Sequence, residues 1–129
     1  MNKILVEVSV GELLDKISIL EIKQEKIQDP EKLKFINDEH AILKEQLDQN
    51  INPDEKLNSL FQSLKEINAR LWVIEDDKRL CEKNSDFTKN FIRLSRDVHF
   101  LNDDRANIKL EINNYTGSKI KEIKEYAIY

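Results

Sequence analysis

The 129-residue chain has only two glycines and two prolines, and so few backbone breakers exclude several folds at once. A phosphate-cradling loop needs glycines at fixed offsets, and a many-stranded sandwich needs frequent turn residues. Helices are left as the default. Cys81 is the lone cysteine, so no intrachain disulfide can form, and a reducing cytoplasm is the expected compartment. Its place on a helix seam makes it a small core residue. A cysteine nucleophile would need a histidine beside it, and only His40 and His99 exist. No apolar run approaches the roughly 18 residues of a membrane span, and Glu7 interrupts the short apolar start. Neither a membrane partner nor a signal peptide is expected. A surplus of one charge sign is missing too. Charged residues make up 36% of the chain, yet the formal net charge is -4, so the signs are interspersed as on solvated helix faces. That excludes the basic stripe of a nucleic-acid binder. The local run Lys119, Lys121 and Lys124 is interrupted by Glu122 and Glu125 and reads as another solvated face.

What is present is helix punctuation. SVGE at 9–12 is a capping box: the Ser9 hydroxyl can accept from an orphan amide and Glu12 can reach back. DPEK at 29–32 and NPDEK at 52–56 each offer a cap residue, a proline at the first helical position and acids in the first turn. NSDF at 84–87 breaks the following run, and Gly117 suits a left-handed terminator. Helices are predicted over about 10–28, 30–50, 53–83 and 86–116, within one domain covering 1–129. Connectors this short make successive helices antiparallel. The predicted fold is therefore all-α, an up-and-down bundle dominated by a coiled-coil hairpin about 45 Å long at 1.5 Å per residue. Ile4, Val6, Val8 and Val10 alternate with polar residues, so a short strand is expected over about 3–8. The terminal segment 118–129 is its candidate partner, although the same segment also suits a short helix.

Two cations interrupt the apolar seams. Phe87, Phe91, Leu94, Val98, Leu101, Arg105, Ile108, Ile112 and Tyr115 follow a three-four alternation with Arg105 in mid-stripe. Lys78 falls in the same way among Leu71, Ile74 and Cys81 on the third helix. The expected hairpin register sets Lys78 opposite Phe91, its stem running past the ring to water near Glu75 or Asp86. It also sets Lys78 roughly 20 Å from Arg105, too far for both to grip one small anion. Trp72, Val73 and Leu80 point away from the seam of the third helix and are candidate interface residues. They would be covered by the first helix hairpin or by a second copy in a homodimer.

SVGELLDKISILEIK, LWVIED at 71–76, NDDRANIK at 102–109 and GSKIKEIKEY at 117–126 resemble the signature stretches of a small bacterial family known as a domain of unknown function. The likeness spans almost the whole chain. It implies no established activity, but it marks Asp15, Lys16, Glu21, Trp72, Glu75, Asp76, Asn102, Arg105 and Lys109. Where the family pattern has paired glutamates before a lysine, this chain has Glu122, Ile123 and Lys124, so no second acid is expected there.

A buried guanidinium must find acceptors or reach water. Glu21 lies inside the apolar arc of the first helix with Leu13, Leu14, Ile17 and Leu20, so a Glu21–Arg105 bridge is the expected structural pairing. The functional alternative keeps the cation and makes the acceptor a ligand. Arg105, with Lys109 one turn on and Asn102 one turn before, would hold a carboxylate or phosphate, and Glu21 would serve as acid or base. The first helix also resembles, faintly, the opening helix of the all-helical chorismate mutases, which grip a dianion with arginine and lysine. Here that helix offers Lys16 and Lys23 and no arginine, and both lysines lie off its main apolar arc.

No metal or cofactor is expected. Neither histidine has a glutamate three residues before it, His40 reads as a core-edge residue, and adjacent acids such as Asp76–Asp77 and Asp103–Asp104 diverge on a helix. The sequence thus predicts a non-catalytic interaction or scaffold module acting as a homodimer or with a protein partner. The rival is a small-anion binder or chorismate-mutase-like isomerase centred on Arg105.

Overall fold

A computed structural model describes residues 2–128. Among them are four helices, α1 (Val10–Lys26), α2 (Pro30–Asn50), α3 (Glu55–Lys83) and α4 (Lys89–Thr116), and no strand. The capping devices act largely as their chemistry dictates. The Ser9 hydroxyl accepts from the Glu12 amide at 3.0 Å, and Asp29 caps α2 with Pro30 in its first turn. Gly117 ends α4 in the left-handed region at φ 67. Two starts fall later than the sequence pattern puts them. Asp54 rather than Asn52 caps α3, accepting from the Leu57 amide at 2.8 Å. Before α4, Ser85 adopts φ 53 and the Asp86 carboxylate accepts from the Thr88 amide and hydroxyl, so a turn occupies positions where helix was expected.

The bundle is all-α with the long hairpin as its spine. Lys78 lies 5.9 Å from the centre of the Phe91 ring, and the Tyr115 hydroxyl donates to Asp54 at the other end, so α3 and α4 run antiparallel in the expected register. Lys78 does not meet Glu75, which pairs with Arg79 instead. Helix α1 packs against all three others, whereas the backbone of α2 approaches only α1 closely. The core gathers at the base of the hairpin, where Leu14 and Ile17 meet Leu47, Leu57, Leu64 and Ile112. Burying side chains of this kind is worth about 1.5–3 kcal/mol each, which makes the base the anchored end.

The expected strand over 3–8 is not formed. Residues 2–9 have no regular structure, and 118–128 are neither strand nor helix. A strand needs a neighbour for its amides and carbonyls. The C-terminal segment spends its polar groups elsewhere, on the α1 terminus through Ser118 and on Lys109 through Glu122.

Candidate functional site

Gly11 lets the start of α1 lie directly on α4. A Cβ at this position would stand 2.5 Å from the Lys109 carbonyl oxygen and 2.9 Å from Asn113 Oδ1. The Gly11 amide donates to that Asn113 oxygen at 2.7 Å, and the Val10 amide donates to the Ser118 hydroxyl at 3.2 Å, so two orphan amides of α1 are satisfied from outside the helix. The Asn113 amide nitrogen on the other side is buried without a partner among the described residues.

One turn further, this close approach encloses a network of charges. Asp15 is 1% exposed. Arg105 Nε donates to its Oδ1 at 2.9 Å and Nη2 to its Oδ2 at 2.5 Å, a two-pronged grip that matches guanidinium to carboxylate. Asn68 on α3 donates to Asp15 Oδ1 at 2.9 Å and to the Ser18 hydroxyl at 2.8 Å. Lys109, 7% exposed, donates to Glu12 at 2.6 Å and to Glu122 at 3.0 Å, and stands 3.9 Å from Asp15.

The protonation equilibria follow from this arrangement. Burial pushes the Asp15 carboxyl up, but hydrogen bonds from Arg105 and Asn68 and the nearby Lys109 charge outweigh it and hold the acid below its ordinary range. Burial likewise pushes the Lys109 ammonium down, and Glu12, Glu122 and Asp15 together carry it above an ordinary lysine. Its hydrogen bond from Lys109 lowers Glu122 in turn. Two cations are thus enclosed by three carboxylates. The cluster is satisfied from within and carries no surplus positive charge.

The expected Glu21–Arg105 bridge is replaced by Asp15–Arg105. Glu21 instead takes Lys65 at 3.3 Å and lies 3.2 Å from His40 Nε2, tying α1 to α3 and α2. The reason is rotational: Asp15 shares with Gly11, Ser18 and Ile22 a mixed face of α1 that turns toward the hairpin, while Glu21 falls on the side toward α2 and Lys65. Periodicity of large apolar residues misses a face made of glycine, serine and aspartate. Gly11 and Ser18 flanking Asp15 at helical spacing were the available signal, because small residues permit close helix approach.

Of the anion-binding trio, Arg105 and Lys109 converge, but on the fold's own carboxylate Asp15, and Asn102 does not join them. Lys109 is enclosed and Asn102 lies on the open surface, so of the three only Arg105 borders a concave space. That space is a cleft of about 450 Å³ where α1 leaves the hairpin, floored by Ile19, Ile22, Leu71 and Trp72 and edged by Asp76 and Arg105. The stretches 9–23, 71–76 and 102–109 therefore converge on one place.

The chain belongs to a family of unknown function, DUF6165, whose model matches residues 4–129. No curated protein and no solved structure matches it. Within this family member, the three interface candidates divide between two surfaces: Trp72 lines the cleft beside α1, whereas Leu80 lines a separate groove between α3 and α4. Val73 is 48% exposed. Among the described residues no helix is long and apolar enough to cross a membrane, and no cluster of His, Cys, Asp and Glu suits a metal ion.

Proposed function

We propose that the protein is a non-catalytic interaction module in which a clamped base presents the far half of the α3–α4 hairpin to a protein surface. One observation carries the reading: of residues 73–100, only Cys81 and Leu94 are buried, while Val73, Leu80, Phe87, Ile92 and Phe100 are each 43–56% exposed. Scattered apolar side chains are ordinary on a surface, but here five large ones fall on one arm, and Ile92 and Phe100 line one groove together, which favours a binding role. The ion network at the base supports the same division of labour. Buried, mutually satisfied charges fix helix register, and here they hold three helices at one level.

A photo-crosslinking residue placed at Val73, Leu80 or Ile92 in producing cells is expected to give discrete adducts, whereas placements at Glu66 and Asn107 on the base give none. Equal labelling from both ends, or none from the arm, would contradict the reading.

The rival, a small-anion binder or isomerase at Arg105, has the open cleft in its favour. Its charges weigh against it. Arg105 is neutralised by Asp15, Arg79 is paired with Glu75 at 3.0 Å, and Asp76 has no ion-pair partner among the described residues. An anion entering the cleft would meet a carboxylate and no free cation. Glu21, the acid or base of that scheme, is engaged with Lys65 and His40.

A further inference from the structure

The uncovered arm carries two unlike strips. On α3, Val73, Asp77 and Leu80 recur at four- and three-residue spacing and share one face, with Asp76 beside them. On α4, Lys89, Arg93, Arg96 and Phe100 recur the same way with Ile92 alongside, and these residues line one groove that contains the single acid Asp97. A second groove joins the strips, since Asp77 and Leu80 line it together with Arg93. No residue of α1 or α2 borders either groove.

The α3 strip sets Asp77 between Val73 and Leu80, and the α4 strip sets Lys89, Arg93 and Arg96 beside Ile92 and Phe100, so the two are opposite in charge with apolar side chains alongside. Arg96 lies 5.8 Å from the centre of the Phe100 ring, and none of Asp77, Lys89, Arg93 and Arg96 forms an ion pair among the described residues. Arg93 bonds only the neutral Asn90, at 2.9 Å. Asp77 and Arg93 stand at nearly the same level of the hairpin, as the Lys78–Phe91 contact shows.

We infer that the occupant of this arm is a second copy of the same chain, with the α3 strip of each copy against the α4 strip of the other about a two-fold axis parallel to the hairpin. The inference rests on the interaction reading above and names its partner. In an isologous pair each surface meets itself rotated, so an acidic and a basic strip at one level meet their complements twice over. Asp77 of each copy then faces Arg93 of the other, and Leu80 and Val73 cover apolar surface beside Ile92 and Phe100. A four-helix arrangement of two hairpins results, and the exposed apolar side chains leave water.

The test is sedimentation velocity on the full chain across a concentration series. The intact protein is expected to be a dimer at micromolar concentration. Asp77→Arg and Arg93→Asp are each expected to weaken the dimer about tenfold or more, because each sets like charges face to face at both sites. The combined Asp77→Arg/Arg93→Asp variant restores the attraction with its sign exchanged and should regain most of the affinity. Leu80→Glu should give monomer. Circular dichroism checks folding, since all three positions are exposed. A monomer at all concentrations, or a dimer indifferent to these changes, would overturn the inference. A monomer that still gives arm-specific adducts to a different protein in cells would leave the interaction reading intact while removing self-association. A monomer with no adducts would remove both.

Discussion

Asp15 and Arg105, 90 residues apart in sequence, meet through two parallel hydrogen bonds with the acid almost entirely shielded from water. The exposures of the partners differ. The Asp15 side chain is 1% exposed and that of Arg105 is 29% exposed, so the guanidinium can reach solvent without its partner and the carboxylate cannot. The pair is therefore a burial device for Asp15, which also receives Asn68 from α3. Three helices are registered by one carboxylate.

The close approach of α1 and α4 predicts an unusual response to a helix-favouring substitution. Gly11→Ala would add about 1 kcal/mol to an isolated helix, but the new methyl would collide with the backbone of α4. Separating the helices loosens the Asp15 network, so a net loss of about 1–3 kcal/mol is expected from overpacking. Urea denaturation measures it. Stabilisation would mean that the two backbones are not in contact.

Stability should fall at both ends of the pH scale. Asp15 and Glu122 have folded pKa values below their unfolded ones, so their contribution is complete above about pH 4–4.5 and is lost as pH falls toward the folded values. Lys109 is raised, so its contribution is complete below roughly pH 10.4 and is lost as pH rises through the folded value. Denaturation free energies measured from pH 3 to 11 should show a plateau between these limits. Asp15→Asn should flatten the acid limb selectively; an unchanged acid limb would show that Asp15 does not supply it.

Much of this organisation was legible in the sequence. Four helices follow from caps and seams, and the hairpin register follows from uninterrupted alternation, which is why Lys78 stands over Phe91. The sequence pattern also singled out Arg105, because a cation in mid-stripe needs acceptors or a route to water, and it has both. Its partner was not legible by the same rule. Searching for an acid among large apolar residues leads to Glu21, whereas α1 is buried over most of its circumference by three neighbours and Asp15 lies among small ones. Nor does the alternation of residues 3–8 suffice for a strand, since pairing depends on a neighbour that alternation cannot supply.

Lys109 links the ion network to the C-terminal segment through Glu122. Lys109→Met should leave Asp15 held by Arg105 but release that tether. Trypsin cleavage at Lys119, Lys121 and Lys124 is then expected to accelerate about threefold or more, while cleavage within the helices changes little. Unchanged cleavage would show that Glu122 does not restrain the segment.

Because Arg105 is neutralised within the fold, carboxylates and sugar phosphates should leave the melting temperature unchanged across a thermal-shift panel. A saturable shift abolished by Arg105→Leu would favour the anion-binding rival instead.

The most direct test of the account is a double-mutant cycle on Asp15→Ala and Arg105→Leu, read by denaturant unfolding. Arg105→Leu alone should cost about 3–5 kcal/mol by stranding a buried carboxylate, and the two changes together should cost markedly less than their sum, with a coupling of about 2 kcal/mol or more. Costs that simply add, or an Arg105→Leu variant as stable as the parent, would contradict the claim that these charges serve the fold.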